Sequence, residues 1–142
     1  MKRFVGVTAA ALSAALALAA CGGPDVTSAR LDDAVGPTFA HLYQHQQDLL
    51  GKPVPSAPQA SASCHRSGQT AAASGAGDDW VCVVLLQVGL PVSQYTYELN
   101  VQANGCYTAD GPPALVGNKT LTTATGAKRV NPLFAFDGCF DT

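Results

Sequence analysis

The chain has 142 residues, 47% of them hydrophobic and 13% charged, with eight Lys and Arg against ten Asp and Glu for a net charge of −2. That length fits one domain behind a short leader. Beyond Lys2 and Arg3 the basic residues are scattered at Arg30, Lys52, Arg66, Lys119, Lys128 and Arg129; no Lys/Arg stripe faces a phosphate backbone, so nucleic acid is not an expected partner.

The first predicted element is a removable address. Lys2 and Arg3 form a basic start, and Phe4 to Ala17 an uncharged apolar run, the layout of a secretory signal peptide. Leu18-Ala19-Ala20-Cys21 completes it as a lipobox. With these parts in order the chain resembles bacterial lipoproteins. The resemblance implies cleavage after Ala20 by signal peptidase II and a diacylglyceryl group on the Cys21 sulfur. It puts the mature protein on the extracytoplasmic side of the cell membrane, held by lipid. Residues 1–20 are then the signal peptide, 21–34 the lipidated terminus and tether, and 35–142 a single globular domain. Removing 20 of 142 residues leaves 122, and removing Lys2 and Arg3 leaves six basic against ten acidic groups, a net charge of −4. After Cys21 the longest apolar run is Val81 to Leu86, far short of the ~20 residues that cross a bilayer as a helix. Lipid is therefore the expected membrane contact.

The tether, Gly22 to Arg30, has no periodic apolar pattern. From Val35, apolar side chains at Phe39, Leu42, Leu49 and Leu50, with Gln46 completing the stripe, predict an amphipathic helix, with room for an earlier turn from Leu31. Pro37 fits its first turn, and Gly51 followed by Lys52-Pro53 stops it. Pro53 to Ser63 and the Gly/Ser/Ala-rich stretch from Gly68 to Gly77 read as loops pinned by Cys64.

The second half changes to strand periodicity. Trp80 to Gln87 predicts a strand buried on both faces or a central strand with a helix on one side. In Tyr95 to Ala103, Tyr95, Tyr97, Leu99, Val101 and Ala103 point one way and Thr96, Glu98, Asn100 and Gln102 the other, so one face is buried and one wet. Gly89-Leu90-Pro91 and Ser93 turn between these runs and predict an antiparallel hairpin. Asn104-Gly105 precedes a strand over Cys106 to Ala109, another β-prone run covers Leu115 to Thr123, and Leu133 to Phe136 carries the tail to Cys139. The sum is an α+β fold: one N-terminal amphipathic helix packed on an antiparallel sheet of about four or five strands. A cystatin-like roll is the nearest layout.

Cysteine use agrees with an oxidising compartment. Setting Cys21 aside leaves Cys64, Cys82, Cys106 and Cys139, an even number that predicts two disulfides. Three pairings are open; sequence neighbours meet most readily, which favours Cys64 with Cys82 and Cys106 with Cys139. No C-x-x-C spacing supports a zinc knuckle. The globular part also resembles a small group of actinobacterial secreted proteins and lipoproteins of unknown function, through Thr38-Phe39, Leu42-Tyr43, Gln46-Gln47, Asp78 to Cys82, Asn104 to Tyr107, Asn131 to Phe134 and Phe136 to Cys139. This resemblance implies a fold and a compartment, and no activity.

The sharpest chemical spacing is His41-Leu42-Tyr43-Gln44-His45, two histidines at i and i+4 on a helix. Leu42 stands where the zinc-protease pattern H-E-x-x-H has its glutamate, so nothing is placed to activate a metal-bound water. Asp48 shares that side of the helix, and His65 is the remaining histidine. Asp78 and Asp79 read as turn or cap residues, and neither a nucleophile elbow nor a phosphate loop is present. No cofactor is expected. The sequence reading is a non-catalytic binding or interaction module for a protein, glycan or small ligand; the alternative is a small extracytoplasmic enzyme or metal-binding protein using His41 and His45. Trp80, Tyr95, Tyr97 and Tyr107 are read as core before ligand surface. Candidate contacts are the wet face with Thr96, Glu98, Asn100 and Gln102, and the segment Asp137 to Thr142.

Overall fold

A computed structural model describes residues 25–56, 58–68 and 73–140. The expected signal segment, the expected lipobox with Cys21 and residues 141–142 lie outside them. Helix α1 spans Ser28–Leu49, and Thr27 caps it, its Oγ1 accepting the Arg30 N–H at 3.3 Å. The helix thus starts seven residues before the expected Val35. Leu31, expected in the tether, is fully buried, and Leu31, Val35 and Phe39 form an i, i+4 stripe into the core. Pro37 consequently lies inside α1 instead of in its first turn. It withholds an N–H from the Asp33 carbonyl. Pro37 and Asp33 are both on the exposed side of the helix, open to solvent. Gly51, at φ 69°, ends the helix in the left-handed conformation.

Five strands form one antiparallel sheet, ordered β1-β2-β3-β4-β7: β1 Gln59–Arg66, β2 Gly77–Gln87, β3 Ser93–Val101, β4 Cys106–Asp110 and β7 Ala135–Cys139. Between β4 and β7 the chain makes a four-residue helical turn, α2 (Pro113–Val116), and a small hairpin of β5 (Thr120–Thr122) and β6 (Lys128–Val130). The architecture is α+β, one helix on a five-stranded antiparallel sheet with two disulfides. β2 alternates, burying Trp80, Cys82, Val84 and Leu86 on the helix side. β3 buries Tyr97, Leu99 and Val101 while Thr96, Glu98 and Asn100 face water.

Three expectations need correction. Gln59 to Ser63, expected within a loop, belongs to β1, paired in register with β2 from Gln59↔Gln87 to Arg66↔Trp80. Its inward residues are Ala60, Ala62 and Cys64, small because α1 passes so close: a Cβ on Gly36 would stand 3.0 Å from the Ala60 carbonyl oxygen and 3.2 Å from the Ala62 nitrogen. The expected strand from Leu115 to Thr123 is a helical turn and a three-residue strand, since Pro112 and Pro113 start a turn that Gly117 ends. The last strand is Ala135–Cys139 rather than Leu133 to Phe136, with Leu133 buried beneath it.

The excursion between β4 and β7 is held by a buried polar node. Gln46 Nε2 donates to Asn131 Oδ1 at 2.7 Å, and Asn131 Nδ2 donates to the carbonyls of Val116 at 2.8 Å and Asn118 at 3.0 Å. Asn131 Oδ1 also accepts the Leu133 N–H at 3.1 Å. Deleting this amide strands several buried groups at once, so Asn131→Ala is expected to lower stability by about 3 kcal/mol in urea unfolding. The near-isosteric Asn131→Asp loses both donor bonds and rescues little.

Candidate functional site

Cys64 faces Cys82 across β1 and β2, and Cys106 faces Cys139 across β4 and β7; each pair is bonded. Each bridge ties an edge strand to its inner neighbour. Cys64–Cys82 is buried in the core, whereas Cys106–Cys139 lies on the outer face of the sheet, with Cys139 exposed. Cys21 is outside the described residues.

The histidines do not converge. His41 and His45 are exposed on α1, and His65 is exposed on the outward side of β1. Among the described residues no group of three or more His, Cys, Asp or Glu side chains is placed to hold a metal ion. Asp79 is engaged elsewhere: Arg66 Nε donates to its Oδ2 at 2.9 Å, Arg66 Nη2 to its Oδ1 at 2.5 Å, and Arg66 Nη1 to the Ser74 carbonyl at 3.0 Å. The Arg66 hydrogen bonds hold the Asp79 carboxyl below the usual carboxylate range. The guanidinium also stands 5.6 Å from the Trp80 ring centre, and Trp80 Nε1 donates to the Gly75 carbonyl at 3.0 Å. This cluster pins residues 74–76 to the sheet. Asp78 is exposed.

Three of the four aromatic candidates belong to the core. Trp80, Tyr97 and Tyr107 are buried, and Tyr95 is half-buried against Phe39, with ring centres 4.9 Å apart. Burial pushes the Tyr97 and Tyr107 phenols above their ordinary range, so both stay protonated donors. Tyr97 donates to the Leu133 carbonyl at 2.8 Å, joining the sheet to the excursion.

Two surface features are left for recognition. At one end of the sheet, Leu85, Val88, Leu90 and Val92 around the β2–β3 hairpin are exposed, Leu90 by 89%. Beside them is a depression of about 610 Å³ whose boundary mixes apolar Pro37, Ala40 and Val92 with polar His41, Gln59 and Gln87. No charged residue occurs from Trp80 to Tyr97 or from Pro53 to Cys64. The second feature is a groove of about 470 Å³ between α1 and the end of β7, with Arg30, Asp33, Ala34, Pro37, Thr38 and His41 on the helix side and Cys139 and Phe140 on the strand side. His41 on α1 lines this groove and Asp137 on β7 does not; no local sequence pattern brings the two elements together. The other candidate face, with Thr96, Glu98 and Asn100, is exposed as expected.

Comparison with family models, curated proteins and solved structures finds no significant match to the chain.

Proposed function

We propose that the chain is a lipoprotein, anchored through Cys21 on the extracytoplasmic side of the cell membrane, whose domain works by binding and performs no covalent chemistry. The setting is supported by the ordered signal of Lys2, Arg3, the apolar run and Leu18-Ala19-Ala20-Cys21, and by two cross-strand disulfides of the kind that persist in an oxidising compartment. The observation that carries the binding reading is the division of labour among side chains. The large aromatics fill the core, while the surface grooves mix small apolar side chains such as Ala34, Pro37 and Ala40 with polar ones such as Asp33, Thr38 and Gln59, a lining suited to holding a partner. The partner is a protein, glycan or small ligand met at the cell surface. A helix held by an antiparallel sheet gives a cystatin-like layout, an analogy that assigns no activity.

Fractionation tests the anchor. Cys21→Ala is expected to leave the membrane fraction, since two acyl chains at ~0.8 kcal/mol per buried CH₂ supply the attachment; a variant that still sediments with membranes and resists a salt wash places the anchor elsewhere. Complementation tests the binding reading. His45→Ala, which breaks the histidine pair without touching the groove that His41 lines, is expected to restore a deletion strain fully; failure of a folded, membrane-located variant replaces this reading with the histidine-based enzyme or metal-binding one.

A further inference from the structure

The two edges of the sheet are finished differently. On β1, Ser67 N donates to the Asp79 carbonyl, so the odd-numbered residues bond to β2 and the N–H and C=O groups of Ala60, Ala62 and Cys64 turn to the free edge. Helix α1 covers that edge. Its Gly36 lies against Ala60 and Ala62, and its Asp32 Oδ1 accepts the Cys64 N–H at 2.6 Å. On β7, Phe140 N donates to the Gly105 carbonyl at 3.0 Å and Gly111 N to the Phe134 carbonyl at 2.9 Å. The register between these bonds makes Cys106↔Cys139, Thr108↔Asp137 and Asp110↔Ala135 the non-hydrogen-bonded pairs. The N–H and C=O groups of Ala135, Asp137 and Cys139 therefore turn away from β4. Among the described residues no strand pairs with this edge, and its Cys139 end borders the groove whose other wall is α1.

We propose that this free edge of β7 binds an extended peptide segment of another protein as a sixth strand, hydrogen-bonded to Ala135, Asp137 and Cys139. The proposal deepens the binding reading by naming the class of partner, and it does not depend on the lipid anchor. Alternating donors and acceptors on a strand edge are matched by another extended backbone. The open run is long enough for a short guest strand: β7 has five residues, and Ala135, Asp137 and Cys139 among them turn their backbone groups outward. At the Cys139 end the groove sets Ala34, Pro37 and Phe140 beside Asp33 and Thr38, a mixed lining that suits small side chains on the guest. The wall favours a single chain over a second copy of this domain. Two β7 edges paired about a twofold axis sit ~4.8 Å apart, with both α1 helices, each ~10 Å across, on the same face beside that seam.

Panning random displayed octapeptides against the detergent-solubilised full-length protein tests this. Enriched sequences, made as synthetic peptides, are expected to bind roughly tenfold or more weakly to Asp137→Pro. That change deletes a free-edge N–H while leaving the bonds to β4 in place. Asp137→Ala keeps the N–H and is expected to bind within about twofold of wild type. If Asp137→Pro does not fold, alternate N-methylation of the peptide replaces it: methylating one alternating set is expected to abolish binding to the wild-type protein, and the other set to leave it. Slower amide exchange at Ala135, Asp137 and Cys139 in the complex completes the expected result. No enrichment, binding indifferent to both Asp137→Pro and N-methylation, or a dimer in sedimentation that Asp137→Pro dissociates would overturn the proposal, the last by giving the edge to a second copy. None of these outcomes bears on the anchor.

Discussion

Phe39→Ala is expected to lower stability by about 3–5 kcal/mol, the usual range when a fully buried aromatic is truncated. Phe39 is 0% exposed and starts an aromatic chain across the core. Its ring centre lies 4.9 Å from that of Tyr95 and 5.8 Å from that of Tyr97; Tyr97 lies 5.1 Å from Phe136, which lies 6.5 Å from Tyr107. Since whole domains are stable by only about 5–15 kcal/mol, this variant is expected to lie close to unfolding. Phe39→Leu, which retains most of the apolar volume, is expected to cost less than half as much. Urea midpoints for both variants against wild type measure this; equal, small losses would mean that α1 is not seated on the sheet through Phe39.

Removing the buried bridge with Cys64→Ala and Cys82→Ala is expected to cost about 3 kcal/mol, from the loop entropy it withholds from the unfolded chain across a separation of 18 residues. The Cys106–Cys139 bridge spans 33 residues, so the same model gives it slightly more, about 3.7 kcal/mol. Position works the other way. Cys64 and Cys82 are 4% and 0% exposed, so their replacement also disturbs packing, whereas Cys139 is exposed. The buried pair is therefore expected to be the more damaging in thermal unfolding. A larger loss from Cys106→Ala and Cys139→Ala would show loop entropy outweighing packing in this fold.

Period and spacing made much of this fold legible. Tyr97, Leu99 and Val101 alternate so regularly that the buried face of β3 follows from the sequence. The hairpin to β2 follows from Gly89 and Pro91, and the disulfide pairing follows from sequence neighbours. What failed to show had weak local signals. β1 alternates as strictly as β3, but its inward residues are alanines, whose small side chains make a faint pattern, and they are small because Gly36 of α1 approaches the strand. The true start of α1 depended on Thr27 as a cap, obscured by Pro37, which suggested a later start. β6, with all three residues exposed, carries no apolar signal at all. The groove between α1 and β7 joins residues about a hundred positions apart, and nothing in the neighbourhood of either announces it.

The central claim, a lipid-anchored, oxidised, extracytoplasmic binding domain, is tested most directly by the intact mass and thiol content of the protein extracted from membranes with detergent. The account predicts a polypeptide that begins at Cys21, carries the mass of a diacylglyceryl group there, and has no free thiol at Cys64, Cys82, Cys106 or Cys139. A polypeptide that retains Met1 to Ala20, or one with an unmodified Cys21 and reduced cysteines, would contradict it.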